Sequence, residues 1–293
     1  MQNNKNLHTA KVEKNDEFYT RIEDVEAELK NYAKHFAGKI VYCNFDDPSV
    51  SAFWQYFHQH FSELGLKKLI ATHINLCTKA EYAGGNDADI NDAVVTDLQK
   101  PGDFRSPECI ELLKEADIIC TNPAFSLFRQ LIKILVENGK DFLIISNKNA
   151  ITYKEFFPLL KDNKAWLGMN NVKAFVQPDG SIKKFGNIGW FTNLDIPRKH
   201  AIIPLTKKYN PASYLKYDDF DAINVSRVAD IPCDYYGQMG VPITYMVLHN
   251  PDQFEILGNL GSYGVDGYSL ASSIHINGKK VFKRILIRRT VTP

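Results

Sequence analysis

The chain alternates between apolar runs and amphipathic stretches over its first half. Ile22, Val25, Leu29, Tyr32, Ala33 and Phe36 recur at helical spacing, so the pattern predicts a helix over 22–36 that stops at Gly38. Lys39-Ile-Val-Tyr-Cys-Asn44 then reads as a buried strand. A second helix carries Phe53, Trp54, Tyr56, Phe57 and Phe61 on its apolar side and ends near Gly65. Lys68 to His73 reads as the next strand. Residues 79–103 are polar around Gly84-Gly85-Asn86-Asp87 and read as a surface loop with a short strand over 93–95. A short helix over 110–116, a strand over 117–121, a helix over 127–137 and a strand over 141–146 follow. Segments 188–193 and 201–205 fit a hairpin.

Strands alternating with helices predict a doubly wound α/β sheet, which the closing hairpin makes mixed. In such sheets ligands bind beyond the carboxyl ends of the strands. After about Thr206, prolines, glycines and tyrosines become frequent and long periodic helices vanish. That change divides the chain into regions 1–205 and 206–293.

Composition adds exclusions. Hydrophobic residues make up 44% and charged residues 24%, which excludes disorder over most of the length. No apolar run reaches the ~18 residues of a membrane span, and the polar start of the chain, Met1 to Asp16, does not read as a signal peptide. The five cysteines are odd in number with no C-x-x-C pair, which points away from disulfides and zinc and toward a reducing, cytoplasmic compartment. Net charge is +1, but its distribution is uneven. Lys279, Lys280, Lys283, Arg284, Arg288 and Arg289 fall in a stretch without acids, and Lys183 and Lys184 belong to a second basic group. Read alone, either group is a solvated face. The apolar residues interleaved through the first, Val281 to Ile287, suggest an ordered basic strand.

Two strand ends carry candidate chemistry. Asp46, Asp47 and Pro48 follow the first strand. Adjacent carboxylates there suit a cationic ligand group, while Asp47 or Ser49 could equally cap the next helix. No G-x-G-x-x-G is present, so a dinucleotide site is not expected. Asn122-Pro123-Ala124-Phe125 follows the third strong strand. An aromatic amine is a poor nucleophile because its lone pair is delocalised into the ring. A carboxamide oxygen on Asn122 and the backbone carbonyl of Pro123 could accept its two hydrogens and draw the nitrogen toward a tetrahedral shape. Phe125 would stack on the ring.

The strand-end Asn-Pro-x-aromatic resembles motif IV of amino-methyltransferases. The wider chain resembles the EcoRI-type adenine-specific DNA methyltransferase family, of the gamma class. The matching stretches are Lys14-Asn-Asp-Glu-Phe-Tyr-Thr20, Val41-Tyr-Cys-Asn-Phe-Asp-Asp-Pro48, Gly102-Asp-Phe-Arg-Ser106, Thr121-Asn-Pro-Ala-Phe-Ser-Leu-Phe128, Asn147-Lys-Asn-Ala-Ile-Thr-Tyr-Lys154, Gly186-Asn-Ile-Gly-Trp-Phe-Thr-Asn-Leu-Asp195 and Gly240-Val-Pro-Ile-Thr244.

The resemblance implies a Rossmann-like, S-adenosylmethionine-dependent fold with a mixed seven-stranded sheet and a C-terminal target-recognition region. It implies that Asp16, Phe18, Tyr19 and Thr20 close over the cofactor's methionine end. Asp46, Asp47 and Pro48 hold the same cofactor, and Asp103 and Phe104 meet its adenine ring. Asn122, Pro123 and Phe125 form the pocket for a target adenine flipped from double-stranded DNA. Lys183, Lys184, Lys279, Lys280, Lys283 and Arg284 become candidates for DNA contact, and a monomer working beside a cognate restriction enzyme, in a bacterial or phage-infected cell, is the implied setting. Two positions depart from the pattern. Ala124 replaces a second proline, and the second strand ends in Thr72-His73 where an acid commonly holds the ribose. Two alternatives therefore stand: an impaired relative that binds DNA without turnover, or a methyltransferase for RNA or a protein amide. Residue by residue, Phe18 and Tyr19 could be a hydrophobic staple onto the first helix. Of Trp190 and Phe191, consecutive on a strand, one should face the core and the other the pocket.

Overall fold

The computed structural model describes residues 18–177, 179–261, 269–271 and 273–290. They form two compact units. One holds the described residues up to Lys148 together with Gly168–Leu194; the other holds Asn149–Leu167 and the chain from Asp195 onward.

The first unit is built on nine strands: β1 (Tyr19–Thr20), β2 (Ile40–Cys43), β3 (Lys68–Thr72), β4 (Thr78–Tyr82), β5 (Val94–Asp97), β6 (Ile118–Thr121), β7 (Asp141–Asn147), β8 (Trp166–Val176, belonging to this unit from Gly168 on) and β9 (Ile182–Thr192). Their order is β1-β8-β9-β7-β6-β2-β3-β4-β5. The central run β7-β6-β2-β3 is parallel, and antiparallel pairs extend it on both sides. Every residue of β2 and β6 is buried, as expected of parallel strands covered on both faces.

The sheet thus has nine strands where seven were expected. β1, β4 and β8 are additional, and 201–205 forms no strand. The backbone of Ile203 is held instead by a side chain: its N–H donates to Gln253 Oε1 at 2.6 Å and its carbonyl accepts from Gln253 Nε2 at 3.1 Å. β9 instead lies between β8 and β7 in the sheet. Trp190 and Phe191 are both buried, because the sheet is covered on both sides. Trp190 meets Phe53 at 5.6 Å and Phe191 meets Phe128 at 5.1 Å between ring centres.

The helices of this unit are α1 (Ile22–Leu29), α2 (Ala52–Gln59), α3 (Phe61–Leu64), α4 (Pro107–Glu115) and α5 (Phe128–Glu137). The expected helix over 22–36 is α1 followed by a 3-10 turn, Lys30–His35. Asn31 sits at the change and donates to the carbonyls of Ala27 and Glu28 at 3.1 and 2.8 Å, satisfying acceptors the tighter turn leaves behind. Ser51 and Ser106 cap α2 and α4 by accepting from Trp54 and Cys109 amides. Gly65 ends α3 in the left-handed region at φ 63°.

Glu28 ties α1 to β8. Its carboxylate accepts from the Tyr32 hydroxyl and the Met169 amide, both at 2.7 Å, and from the amide and side chain of Asn170 at 2.7 and 2.9 Å. Burial pushes its carboxyl upward, while these donors act to lower it. Gly168 makes the approach possible, since a Cβ there would collide with Glu28 Oε1 and lie 3.0 Å from the Tyr32 hydroxyl.

The second unit contains α6 (Phe157–Lys161) and strands β10 (Ile223–Asn224), β11 (Met239–Val241), β12 (Phe254–Leu260), β13 (Ser269–Ala271), β14 (Ile274–Ile276), β15 (Lys279–Val281) and β16 (Arg284–Arg289). Five strands form a sheet in the order β10-β11-β16-β12-β13, and β14-β15 is a separate ribbon. The basic segment is thus ordered: β16 lies mid-sheet with Ile285, Leu286 and Ile287 buried. No helix among the described residues is long and apolar enough to cross a membrane.

Candidate active site

The parallel strands β2, β3 and β6 end on one edge of the sheet, and the chain reverses direction across the sheet between β2 and β6. That switch point opens a crevice. The residues following each strand line a cavity of about 200 Å³ there, with Phe45, Asp46 and Asp47 after β2, His73, Ile74 and Asn75 after β3, and Asn122, Pro123, Ala124 and Phe125 after β6. Phe18, Tyr19 and Thr20 add a wall from the edge strand β1, and Val50, Ser51, Ala52 and Phe53 add one from the start of α2.

Asp46 knits the three strand ends together. Its amide donates to Thr72 O at 3.0 Å. One carboxylate oxygen accepts from Ser51 Oγ at 2.5 Å and the other from Thr121 Oγ1 at 2.7 Å. Burial pushes its carboxyl up to about 6, with the two hydroxyls opposing the rise. Asp47 shapes the neighbouring turn. It accepts from the amide and hydroxyl of Ser49 at 2.9 and 2.7 Å. The cap of α2 is Ser51, so neither Asp47 nor Ser49 serves as that cap. Pro48 opens this turn and does not line the cavity.

Asn122 is oriented by the edge strand. Its Nδ2 donates to the backbone carbonyl of Phe18 at 2.7 Å. Its Oδ1 is buried and has no hydrogen-bond partner among the described residues. A buried acceptor without a donor is costly, and among the orphaned buried acceptors this one belongs to a residue that lines the cavity. Ala124 closes the turn by accepting from the Leu127 amide at 2.8 Å. The ring of Phe125 lies edge-on to Phe175 at 6.3 Å.

Phe18 does not staple onto α1. Its ring packs on Phe185 and Phe175 of the β8–β9 hairpin at 4.7 and 6.0 Å, and Tyr19 and Thr20 pair with Val176 and Phe175. Lys183 Nζ sits 5.1 Å above the Phe18 ring, so this cation supports the cavity wall; Lys184 is exposed. Asp16 lies outside the described residues.

Asp103 and Phe104 stand one layer back from the cavity. Phe104 is buried with its ring 4.9 Å from that of Phe45, and Phe45 is the aromatic that faces the space. Asp103 is bound by Arg105 at 2.6 Å, which holds its carboxyl below the usual range. Gly102 brings this turn against the end of β3: a Cβ there would lie 2.8 Å from His73 O. Phe45, His73, Ile74 and Asn75 are cavity residues that motif reading missed. Their position immediately after β2 and β3 was the available signal.

In the second unit Lys279 and Lys280 are exposed on β15. Lys283 is half-buried, and burial lowers its ammonium. Arg284 donates from Nε to Asn224 Oδ1 at 3.2 Å.

The comparisons agree in direction. The family model described as adenine-specific methyltransferase EcoRI matches residues 6–290. The chain is 45% identical to the Type II methyltransferase M.EcoRI of Escherichia coli, over 97% of this chain and 96% of that protein. It is 36% identical to M.MpnI of Mycoplasma pneumoniae and 35% identical to M.MgeORF184P of Mycoplasma genitalium, each over 97% of this chain and 98% of the relative. No solved structure matches.

Proposed function

Because the chain belongs to the EcoRI adenine-specific methyltransferase family, we propose that it methylates the exocyclic amine of an adenine everted from double-stranded DNA, with S-adenosylmethionine as the donor. The observation that carries this reading is the buried Oδ1 of Asn122, without a hydrogen-bond partner among the described residues, in the wall of the strand-end cavity. The amide nitrogen is occupied by Phe18, so the atom offered to a ligand is an acceptor.

The cavity residues suit that donor. Phe45, Val50 and Ile74 offer apolar surface to a flat base, His73 and Asn75 offer polar groups to ribose hydroxyls, and Asp46 and Asp47 offer negative charge to a cationic methionine end. We carry the Rossmann-like methyltransferase assignment on the same grounds: parallel central strands with the crevice at their switch point. When bound, the cofactor supplies a methyl group on a positively charged sulfur. The chain's own residues prepare the nucleophile. Asn122 Oδ1 and the Pro123 carbonyl accept the amine hydrogens and localise its lone pair, and Phe125 holds the ring by stacking. Eversion costs a few kcal/mol, offset by stacking and hydrogen bonds to the base edge.

In this reading the second unit recognises the target. Lys279, Lys280, Lys283 and Arg284, with Lys184, contact phosphates and make affinity salt-dependent. Asp103 and Phe104 act through Phe45, and Asp16 joins the cofactor wall. The protein works as a cytoplasmic monomer alongside a cognate restriction enzyme. The test is incorporation of labelled methyl groups into duplex DNA by the wild type and by Asn122→Ala. Transfer to adenine that is lost in the variant supports the reading. Equal transfer in both refutes the role of Asn122, and transfer to RNA or protein but not to duplex DNA refutes the substrate.

A further inference from the structure

The ribbon β14–β15 is braced at its tip. Asn277 and Gly278 form the turn with φ of 51° and 72°, both left-handed, the geometry of a tight two-residue hairpin turn. The Asp218 carboxylate accepts from both turn amides, at 3.0 and 2.7 Å, and the Asp218 amide donates to His275 O at 2.9 Å. The base of the ribbon is anchored as well. Ile274 is part of the buried cluster with Tyr217, Ala222, Leu260 and Leu286, and Val281 packs against it. Arg284 links the connector to the sheet, donating to Phe282 O at 3.0 Å and to Asn224 Oδ1.

This rigid mount presents an aromatic ring to solvent. Phe282 is 70% exposed. Alternation explains the direction: Val281 faces the core, so Lys280 and Phe282 face away. The residues around it, Lys279, Lys280, Lys283 and Arg284, are cations, and the segment from Asn277 to Arg289 contains no acid. The acids packed on the ribbon, Asp218 and Asp219, are engaged by the turn amides and by His275. An exposed apolar ring on an ordered mount, with Lys280 on its face of the ribbon and further cations beside it in the chain, complements a polyanion that has apolar faces between its charges. Stacked bases between phosphates are such a surface.

We infer that the β14–β15 ribbon and the connector after it are a duplex-DNA contact element in which Phe282 wedges at a base step while Lys279 and Lys280 hold the flanking phosphates. This rests on the reading that the chain binds duplex DNA. Apolar wedges of this kind partly unstack a step and kink the duplex.

The experiment measures binding of a duplex methylated by the wild type, at several salt concentrations. Phe282→Ala should weaken binding about tenfold, the scale of one lost stacking contact, with an unchanged salt slope and melting temperature. Phe282→Trp should retain affinity. Lys279→Ala and Lys280→Ala should each lower the salt slope by about 0.9. A duplex already mismatched at the contacted step should restore binding to Phe282→Ala, because unstacking is then no longer required. Wild-type affinity in Phe282→Ala, or an equal loss on matched and mismatched duplexes, overturns the wedge. Self-association of the wild type that Phe282→Ala abolishes would assign the ring to a second copy of the chain and overturn it too. Failure of the wild type to bind any duplex would instead refute the DNA-binding reading beneath it.

Discussion

Asn122 Nδ2 donates to the backbone carbonyl of Phe18 at 2.7 Å, across 104 positions of chain. A flipped amide would set oxygen against oxygen, so this bond decides that Oδ1 is the Asn122 atom left unpaired among the described residues. Asn122→Asp removes the donor to Phe18 but keeps an acceptor at the site; Asn122→Ala removes both. Losing a preorganised polar group of this kind costs about 10²–10³ in kcat. We expect Asn122→Asp to retain at least about tenfold more turnover than Asn122→Ala, with cofactor KM raised similarly in both because Phe18 is released in both. Single-turnover methylation and cofactor titration check this. Equal losses of kcat would mean that Asn122 acts only by holding Phe18.

Ala124 stands where the family pattern has a second proline. Its carbonyl already closes the turn onto the Leu127 amide, and Asn122 is held independently by Phe18. The geometry therefore does not need proline at this position. We expect the wild type to turn over and Ala124→Pro to stay within about threefold of it, with stability higher by about 0.4–1 kcal/mol from a stiffer unfolded chain. Turnover gained only on restoring proline would favour the impaired-relative reading.

Asp46 carries a stability cost that pH exposes. Its carboxyl is raised from 3.8 to about 6, which corresponds to about 3 kcal/mol. Since the folded-state value is the higher one, its stabilising contribution is complete below about pH 4 and is lost as pH rises through about 6. Asp46→Asn keeps the shape and can still bond Ser51 and Thr121. At pH 8 we expect the variant to be more stable than the wild type by about 1–3 kcal/mol, and at pH 4 to differ little. Cofactor affinity should fall about tenfold, because a cationic end loses its carboxylate. Urea unfolding at the two pH values decides; an equal gain at both would show that the difference does not come from ionisation of the Asp46 carboxyl.

The central strands and their chemistry were legible because parallel strands buried on both faces read as short apolar runs. Where such a run ends, at Cys43 or Thr121, the polar residues that follow within a few positions sit at the sheet edge, so Asp46 and Asn122 could be found. β8 was hidden because Asn170, Asn171 and Lys173 break its apolar pattern. Glu28 looks like a solvated helix position, since its partners Met169 and Asn170 are 141 and 142 residues away. Nor does local sequence say which of two stacked aromatics faces the cavity; Phe45 does, with Phe104 behind it. These are long-range pairings, and periodicity reports only local ones.

Gly102 offers a way to disturb the cavity from behind. A Cβ there would meet His73 O at 2.8 Å, Thr72 Cβ at 2.9 Å and His73 N at 3.2 Å. Two of these are backbone atoms at the end of β3, which cannot swing aside as a flexible side chain would. In Gly102→Ala the turn must therefore lift from the strand, carrying Phe104 away from Phe45 and straining the Gly102 amide bond to Leu76 O at 2.8 Å. We expect a stability loss of about 1–3 kcal/mol, the usual cost of overpacking. Because His73 touches Gly102 and Phe45 packs on Phe104, and both line the cavity, cofactor KM should rise several-fold. The kcat at saturating cofactor should change little, since Asn122 and Phe125 hang on β6 and the β8–β9 hairpin instead. Thermal unfolding with a KM-against-kcat comparison tests this, and a fall in kcat with unchanged KM would place the 102–104 turn against the target base instead of the cofactor.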